Sequence, residues 1–172
     1  DRDGKHKYAW TSSWATTTRL IGAMVMVHSD NRGLVVPPRI APIQVVIVPV
    51  AANKAGVIEK AQELNDRLKS QFKVELDDDT SKTPGYKFNE WEMKGVPVRI
   101  EIGPKDIEKN QVTIFRRDTC EKSTLSMDNL ENDLKDLLEN IQSSLFERAS
   151  QFRDEKTWTV NSYDELKESF ED

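Results

Sequence analysis

A single cysteine, Cys120, occurs in the 172 residues, so no internal disulfide can form and a reducing compartment is the expectation. Two histidines and that one thiol are too few for a zinc site, and no metal ligand set is expected in the chain. Long apolar runs are also missing. The longest, Val45 to Ala52, is broken by Pro49 and falls far short of the roughly 20 residues that a membrane helix needs. The opening stretch from Asp1 to Lys7 has no signal pattern. Basic excess is lacking too: 32% of the residues are charged, yet the formal net charge is −5. This excludes the signature of a general nucleic-acid binder. It leaves room for recognition of a few single-stranded bases, where stacking and edge hydrogen bonds outweigh phosphate attraction. The expectation is a soluble cytoplasmic globule, not attached to a membrane, with one α/β domain or one domain plus a piece of a second.

What is present divides the chain near residue 40. An extended run, Tyr8 to Trp14, predicts a strand, and Leu20, Ile21, Met24, Val27 and His28 at three- and four-residue spacing predict a helix behind it. Thr16, Thr17 and Thr18 offer caps, with Arg19 in the first turn. A strand feeding so apolar a helix needs a large partner surface, so this part reads as a strand-helix remnant of a larger domain. Pro37-Pro38 and Pro42 then punctuate a linker. Beyond it, strands are predicted at Gln44 to Val50, Lys73 to Leu76, Val96 to Ile102, Gln111 to Arg117 and Ser123 to Leu125. The first is apolar throughout, as when both sheet faces are covered. The third alternates Val96, Val98, Ile100 and Ile102 against Arg99 and Glu101, as for one solvated face. Helical faces run through Val57, Ile58, Ala61, Leu64, Leu68 and Phe72, through Pro84 to Met93, and through Leu130, Leu134, Leu137, Leu138, Ile141, Leu145, Phe146, Ala149 and Phe152. The long third helix has Ser126 as its candidate cap. Ser162 to Glu165 is a capping-box pattern opening a short last helix that stops at Phe170-Glu171-Asp172. The fold class is α/β, a mixed sheet flanked by helices.

Two strings carry a resemblance. Thr11-Ser12-Ser13-Trp14-Ala15-Thr16-Thr17-Thr18-Arg19-Leu20-Ile21-Gly22-Ala23-Met24, continuing through His28-Ser29-Asp30 and Gly33 to Pro38, is similar to the third signature motif of class II aminoacyl-tRNA synthetases with its proline-specific continuation. Pro84-Gly85-Tyr86-Lys87-Phe88-Asn89-Glu90-Trp91-Glu92-Met93-Lys94-Gly95-Val96-Pro97, with Arg99 to Asp106 and Arg116 to Thr119, resembles the anticodon-binding domain of the prolyl-tRNA synthetases, in their eukaryotic and archaeal-like branch. The resemblance implies that residues 1–40 end a catalytic domain, that 41–153 form the anticodon-binding domain, and that 154–172 start a carboxy-terminal extension. It implies a parent ligase that activates proline with ATP and magnesium, joins it to proline tRNA, and works as a homodimer. The first two class II motifs do not occur in this sequence, so the chain alone is expected to bind the anticodon weakly and to catalyse nothing. The rival readings are a non-catalytic RNA- or protein-binding module, and a synthetase for histidine, glycine or threonine with the same domain.

The resemblance also implies site residues. Arg19, a planar donor fork, and Thr17 would hold ATP. Ser13, Trp14 and Ala15 would line the adenylate and proline pockets, Ala15 standing where glycine is usual. Glu92, Arg99, Lys105 and Asp106 match the base-reading positions, with Phe88 as a stacking or supporting aromatic. Proline anticodons share guanines at the second and third positions. A carboxylate can accept from guanine N1–H and N2–H₂, while Arg or Lys can donate to O6 and N7. Carboxylates mixed with basic groups are therefore the expected chemistry. From Tyr86 to Arg117 there are seven basic residues against five acidic ones, a mildly basic region in an acidic chain. Other residues receive plainer readings: His28 as packing, Asp77-Asp78-Asp79 as a solvated turn, Cys120 in place of a turn glycine, and Glu90 as added negative charge beside the anticodon site.

Overall fold

The structure, a computed structural model, describes residues 3–6 and 8–170. Asp1, Arg2 and Lys7 of the opening stretch, and Glu171 and Asp172 after the last helix, lie outside the described residues. In chain order the elements are α1 (Arg19–His28), β1 (Val45–Pro49), α2 (Val57–Leu68), β2 (Val74–Leu76), α3 (Pro84–Lys94), β3 (Val98–Ile102), α4 (Pro104–Glu108), β4 (Gln111–Arg116), β5 (Lys122–Ser126), α5 (Leu130–Glu155) and α6 (Tyr163–Glu168). The strands form one sheet in the order β2-β1-β3-β4-β5. β2, β1 and β3 run parallel, and β4 and β5 continue antiparallel to β3. A mixed sheet with flanking helices is the architecture that the alternation of helical and extended patterns predicts.

One sheet face carries Val45, Ile47, Val98, Ile100, Ile102, Val112 and Ile114, all completely buried beneath α2 and α5. Leu64 and Leu68 of α2 and Leu130, Leu134, Ile141 and Leu145 of α5 close this core. Each such side chain contributes roughly 1.5–3 kcal/mol on burial. The opposite face is covered by α3, whose Trp91 packs on Val46 and Val48, with Phe88 partly buried beside them. Local signals place α3 closely. Thr83 caps it by accepting from the Tyr86 N–H at 3.4 Å, Pro84 occupies the first turn, and Gly95 ends it at φ 75°.

Several expectations change here. The strand expected over Tyr8–Trp14 is not formed, and those residues are exposed. Among the described residues no strand lies beside them to accept their backbone hydrogen bonds. β3 has no solvated face: Arg99 and Glu101 are 3% and 7% exposed, because α3 roofs the side on which they point. Phe146 and Phe152 are exposed although they continue the apolar stripe of α5. At 26 residues that helix is about 39 Å long, and both phenylalanines lie beyond Leu145, the last of its residues in the core. Ser126 caps a short 3-10 turn, Met127–Asn129, ahead of α5 rather than α5 itself. Ser162 accepts from the Glu165 N–H at 3.2 Å, but the Glu165 carboxylate turns to the N–H of Asn161, so only half of a capping box forms. Asp77 is no solvated turn residue. Its carboxylate accepts from Trp91 Nε1 at 2.7 Å and pairs with the buried Lys87 at 2.9 Å, pinning α3 to the end of β2.

The segment after α1 is tied to the sheet by one arginine. Arg117, at the end of β4, is 1% exposed, and its Nη1 and Nη2 donate to the two oxygens of Asp30 at 2.8 and 2.6 Å. Its Nε donates to the Glu92 carbonyl at 2.9 Å and Nη2 to the Gly33 carbonyl at 3.2 Å. The backbone runs alongside: Leu34 N–H donates to Met93 O and Val36 N–H to Gly95 O, at 3.0 and 3.2 Å. Gly33, at φ 133°, leaves no room for a side chain, since a Cβ would meet the Met93 Cα at 2.5 Å.

The Arg117 hydrogen bonds are the largest cause holding the Asp30 carboxyl at about 2, below its ordinary 3.8. A depressed folded value stabilises the fold above the ordinary value, and that gain is lost as pH falls through the folded one. Asp30 is 43% exposed, so solvent screens the pair. Asp30→Asn is expected to lower the urea midpoint at neutral pH, and the gap from the unaltered chain should close as pH falls from 3.8 toward 2. Parallel urea titrations across that window measure it.

Candidate nucleic-acid interface

The alternation of β3 puts Arg99 and Glu101 on the α3 side of the sheet, where Arg99 lies opposite Val46 and Phe115, and Glu101 opposite Val48 and Thr113. Arg99 is sandwiched between aromatic rings, its guanidinium carbon 4.2 Å from the centroids of both Phe88 and Phe115. Its Nη1 donates to Glu92 Oε1 at 3.0 Å and to the Phe88 carbonyl at 3.3 Å, while Nη2 and Nε both donate to Glu101 Oε1, at 2.9 and 3.1 Å. Lys122 of β5 completes the row, donating to Glu101 Oε2 at 2.7 Å. The result is an alternating line of charge across β3, β4 and β5, with α3 at one side.

Glu92 is the carboxylate that this line presents. One oxygen is held by Arg99; the other, Oε2, faces Arg32 at 3.5 Å, and both residues line a cavity of about 330 Å³ with Asn89 and Met93. Asp106 lies at the far edge of the same face. Its carboxylate accepts from the Gly103 N–H at 2.9 Å, fixing the entry to α4, and from the Thr113 hydroxyl at 3.4 Å. Lys105, one residue earlier on α4, is exposed. Glu92, Arg99, Phe88 and Asp106 therefore share one face of the sheet. Arg99, buried and ringed by acceptors, is a group that orients carboxylates.

Charge around the face is mostly internal. Lys87, Arg116 and Arg117 pair with Asp77, Asp118 and Asp30, so the mildly basic count of the sequence leaves little open positive charge. Glu90, expected to add negative charge, sits between Lys94 at 2.8 Å and Lys82 at 3.0 Å, and their hydrogen bonds hold its carboxyl below the ordinary value. Cys120 occupies the left-handed conformation, φ 59°, in the turn between β4 and β5, a place suited to glycine. His28 is half-buried, and burial, then the Arg148 charge, lowers its pKa.

Arg19, Thr17, Ser13, Trp14 and Ala15 are all exposed on or just before α1. The Thr17 hydroxyl accepts from the Arg19 N–H at 3.3 Å. Sequence reasoning missed Glu101, Phe115, Lys122, Arg117 and Arg32. Period-two alternation does place Glu101 beside Arg99; the partners on β4, β5 and the residue 30–33 turn become visible only once the sheet order is known.

The family pattern described as the anticodon binding domain matches residues 44–137, which contain the whole sheet and α3. The chain belongs to the anticodon-binding-domain family. Over almost all of its length the chain is similar to proline–tRNA ligases. It is 59% identical over 171 residues to a Proline–tRNA ligase of Alkaliphilus oremlandii (strain OhILAs), covering 99% of this chain and 36% of that protein. Against Proline–tRNA ligase 2 of Bacillus thuringiensis (strain Al Hakam), identity is 56% over 167 residues, 97% of this chain and 35% of the relative. With the Proline–tRNA ligase of Clostridium botulinum (strain Langeland / NCTC 10281 / Type F) it is 53% over 171 residues, 99% and 36% of the two chains. The chain thus spans about a third of the length of the curated relatives it matches. The anticodon-binding region is similar to that of the proline–tRNA ligases. Among the described residues no helix is long and apolar enough to cross a membrane.

Removing one member of a buried ion network leaves the others uncompensated, at a cost of about 3–5 kcal/mol, whereas an exposed pair contributes under about 1 kcal/mol. Arg99→Ala should therefore destabilise the anticodon-binding domain by about 3–5 kcal/mol in urea unfolding. Lys122→Ala, whose side chain is half exposed, should cost under about 1 kcal/mol.

Proposed function

We propose that this chain is the anticodon-reading portion of a proline–tRNA ligase and that its ligand is the single-stranded anticodon loop of proline tRNA. The observation that carries the reading is Glu92: a carboxylate oriented from behind by a buried arginine, with its second oxygen turned to a cavity. Such a group can accept from the N1–H and N2–H₂ edge of an unstacked guanine. Asp106 and Lys105 extend the reading along the same edge of the domain, and Arg99 holds Glu92 and Glu101 in place. Phe88 supports Arg99 from one side. Because most basic groups are paired internally, base edges rather than phosphates supply the recognition.

The whole enzyme would activate proline with ATP and transfer it to the tRNA in the cytoplasm, as a homodimer. Residues 1–40 would end its catalytic domain, 41–153 bind the anticodon, and 154–172 begin a further region. Arg19 and Thr17 would face ATP, and Ser13, Trp14 and Ala15 the proline pocket, once the rest of that domain surrounds them. Magnesium would accompany ATP there. Among the described residues no group of three or more His, Cys, Asp or Glu side chains could hold a metal ion.

Binding to RNA hairpins with the proline anticodon loop tests the reading. Glu92→Gln keeps the shape and removes the charge. It should weaken binding about 10- to 100-fold, as expected for a charged hydrogen bond of about 1.5–3 kcal/mol. Asp106→Asn and Lys105→Glu should weaken binding too, and Glu92→Gln should erode the preference for guanines at the second and third positions. Equal binding of guanine and adenine loops by the unaltered chain contradicts the proposal.

A further inference from the structure

Glu92 Oε2 and the Arg32 guanidinium stand apart from the buried network. Arg32 is 61% exposed, and its Nη1 is 3.5 Å from that oxygen, longer than the roughly 2.7–2.9 Å of a tight charge-assisted hydrogen bond. A guanidinium carries five N–H donors, so Arg32 keeps donor capacity directed at the cavity that it lines with Asn89, Glu92 and Met93. The cavity, about 330 Å³, falls within the range of small-ligand pockets, about 300–1,000 Å³. The backbone of Arg32 is held in place. Its own N–H donates to Asp30 Oδ1 at 2.8 Å, and Asp30 is gripped by the buried Arg117, which also binds the Glu92 carbonyl. The turn that carries Arg32 is thus fixed to the helix that carries Glu92.

From Arg32 inward the groups follow in the order Arg32 Nη1, Glu92 Oε2 and then Glu92 Oε1, which also accepts from Arg99: a donor followed by two acceptors. The Watson–Crick edge of guanine presents the complement, the O6 acceptor followed by the N1–H and N2–H₂ donors. Adenine opposes it, offering an N6–H₂ donor to the arginine and the N1 acceptor to the carboxylate. We infer that Arg32 is a specificity-determining residue of the loop-reading site, donating to O6 of a guanine whose N1–H and N2–H₂ are taken by Glu92. This assignment rests on the proposed anticodon reading and deepens it. It brings into the site a residue that precedes the matched family region, 44–137.

The test uses the 172-residue chain and anticodon hairpins carrying guanine at the second and third positions, with each guanine replaced singly by adenine or by hypoxanthine, which lacks only the N2 amino group. Dissociation constants are read by fluorescence anisotropy at fixed salt. In Arg32→Ala the preference for guanine over adenine should fall about tenfold at one of the two positions, the loss of one charged hydrogen bond. The preference for guanine over hypoxanthine at that position should be unchanged, because the amino group meets Glu92. Arg32→Lys should recover part of the loss. An unchanged guanine preference in Arg32→Ala overturns the assignment to Arg32 alone. So does an equal loss for every hairpin, which would make Arg32 a phosphate contact. If the unaltered chain does not distinguish guanine from adenine at either position, the anticodon reading fails, and the Arg32 assignment fails with it.

Discussion

Arg99 occupies the centre of the α3 face, and most of what that face can do follows from how its charge is compensated. A guanidinium 3% exposed is tolerable only with its N–H groups satisfied and its plane covered. Glu92, Glu101 and the Phe88 carbonyl satisfy the first condition, and the Phe88 and Phe115 rings meet the second. The same bonds fix the carboxylates. Glu92 sits on a helix and Glu101 on a strand, and the arginine between them sets one geometry for both. A binding edge prepared in this way loses little side-chain entropy when a ligand arrives.

Arg117 performs a comparable task one layer outward. It joins the turn at residues 30–33, the last residues of α3 and the end of β4 through four hydrogen bonds, and Gly33 and Gly95 allow the two backbones to lie in contact. The segment before the anticodon-binding domain is therefore part of that domain's surface at this point, though the family pattern begins only at residue 44. α1, by contrast, buries none of its residues, and Leu20, Ile21, Met26 and Val27 are exposed. Tyr8, Trp10, Trp14, Phe146 and Phe152 are exposed as well, more apolar surface than a monomer usually leaves open. It accords with a chain that spans about a third of its relatives.

The order and type of elements from β1 to α6 were legible in the sequence, apart from the five-residue α4, because apolar periodicity reports which face is buried. The helix expected over Pro84 to Met93 ends one residue short of α3, Pro84–Lys94. What periodicity could not report is that a polar position may be buried. Arg99 and Glu101 follow the rule for a solvated face, yet α3 covers them and their charges cancel. The Arg117–Asp30 pair, separated by 87 positions, leaves no local trace at all. The strand expected at Tyr8–Trp14 shows the converse limit, since an extended pattern needs a partner strand before it becomes a strand. In the proposed site, Glu92, Arg99, Asp106 and Phe88 were reached through the family strings. Arg32, Glu101, Phe115 and Lys122 required the sheet order.

The most direct measurement of the central claim is a nuclear magnetic resonance titration of the chain with a proline anticodon hairpin. Shifts are expected at Phe88, Asn89, Glu92, the Arg99 Nε–H and Asp106, with Leu64, Leu134 and Ile141 on the opposite face unmoved. A hairpin with adenines at the second and third positions should leave the first group nearly unshifted at the same concentration. Shifts confined to α1, α2 or α5, or identical shifts from the two hairpins, would contradict it.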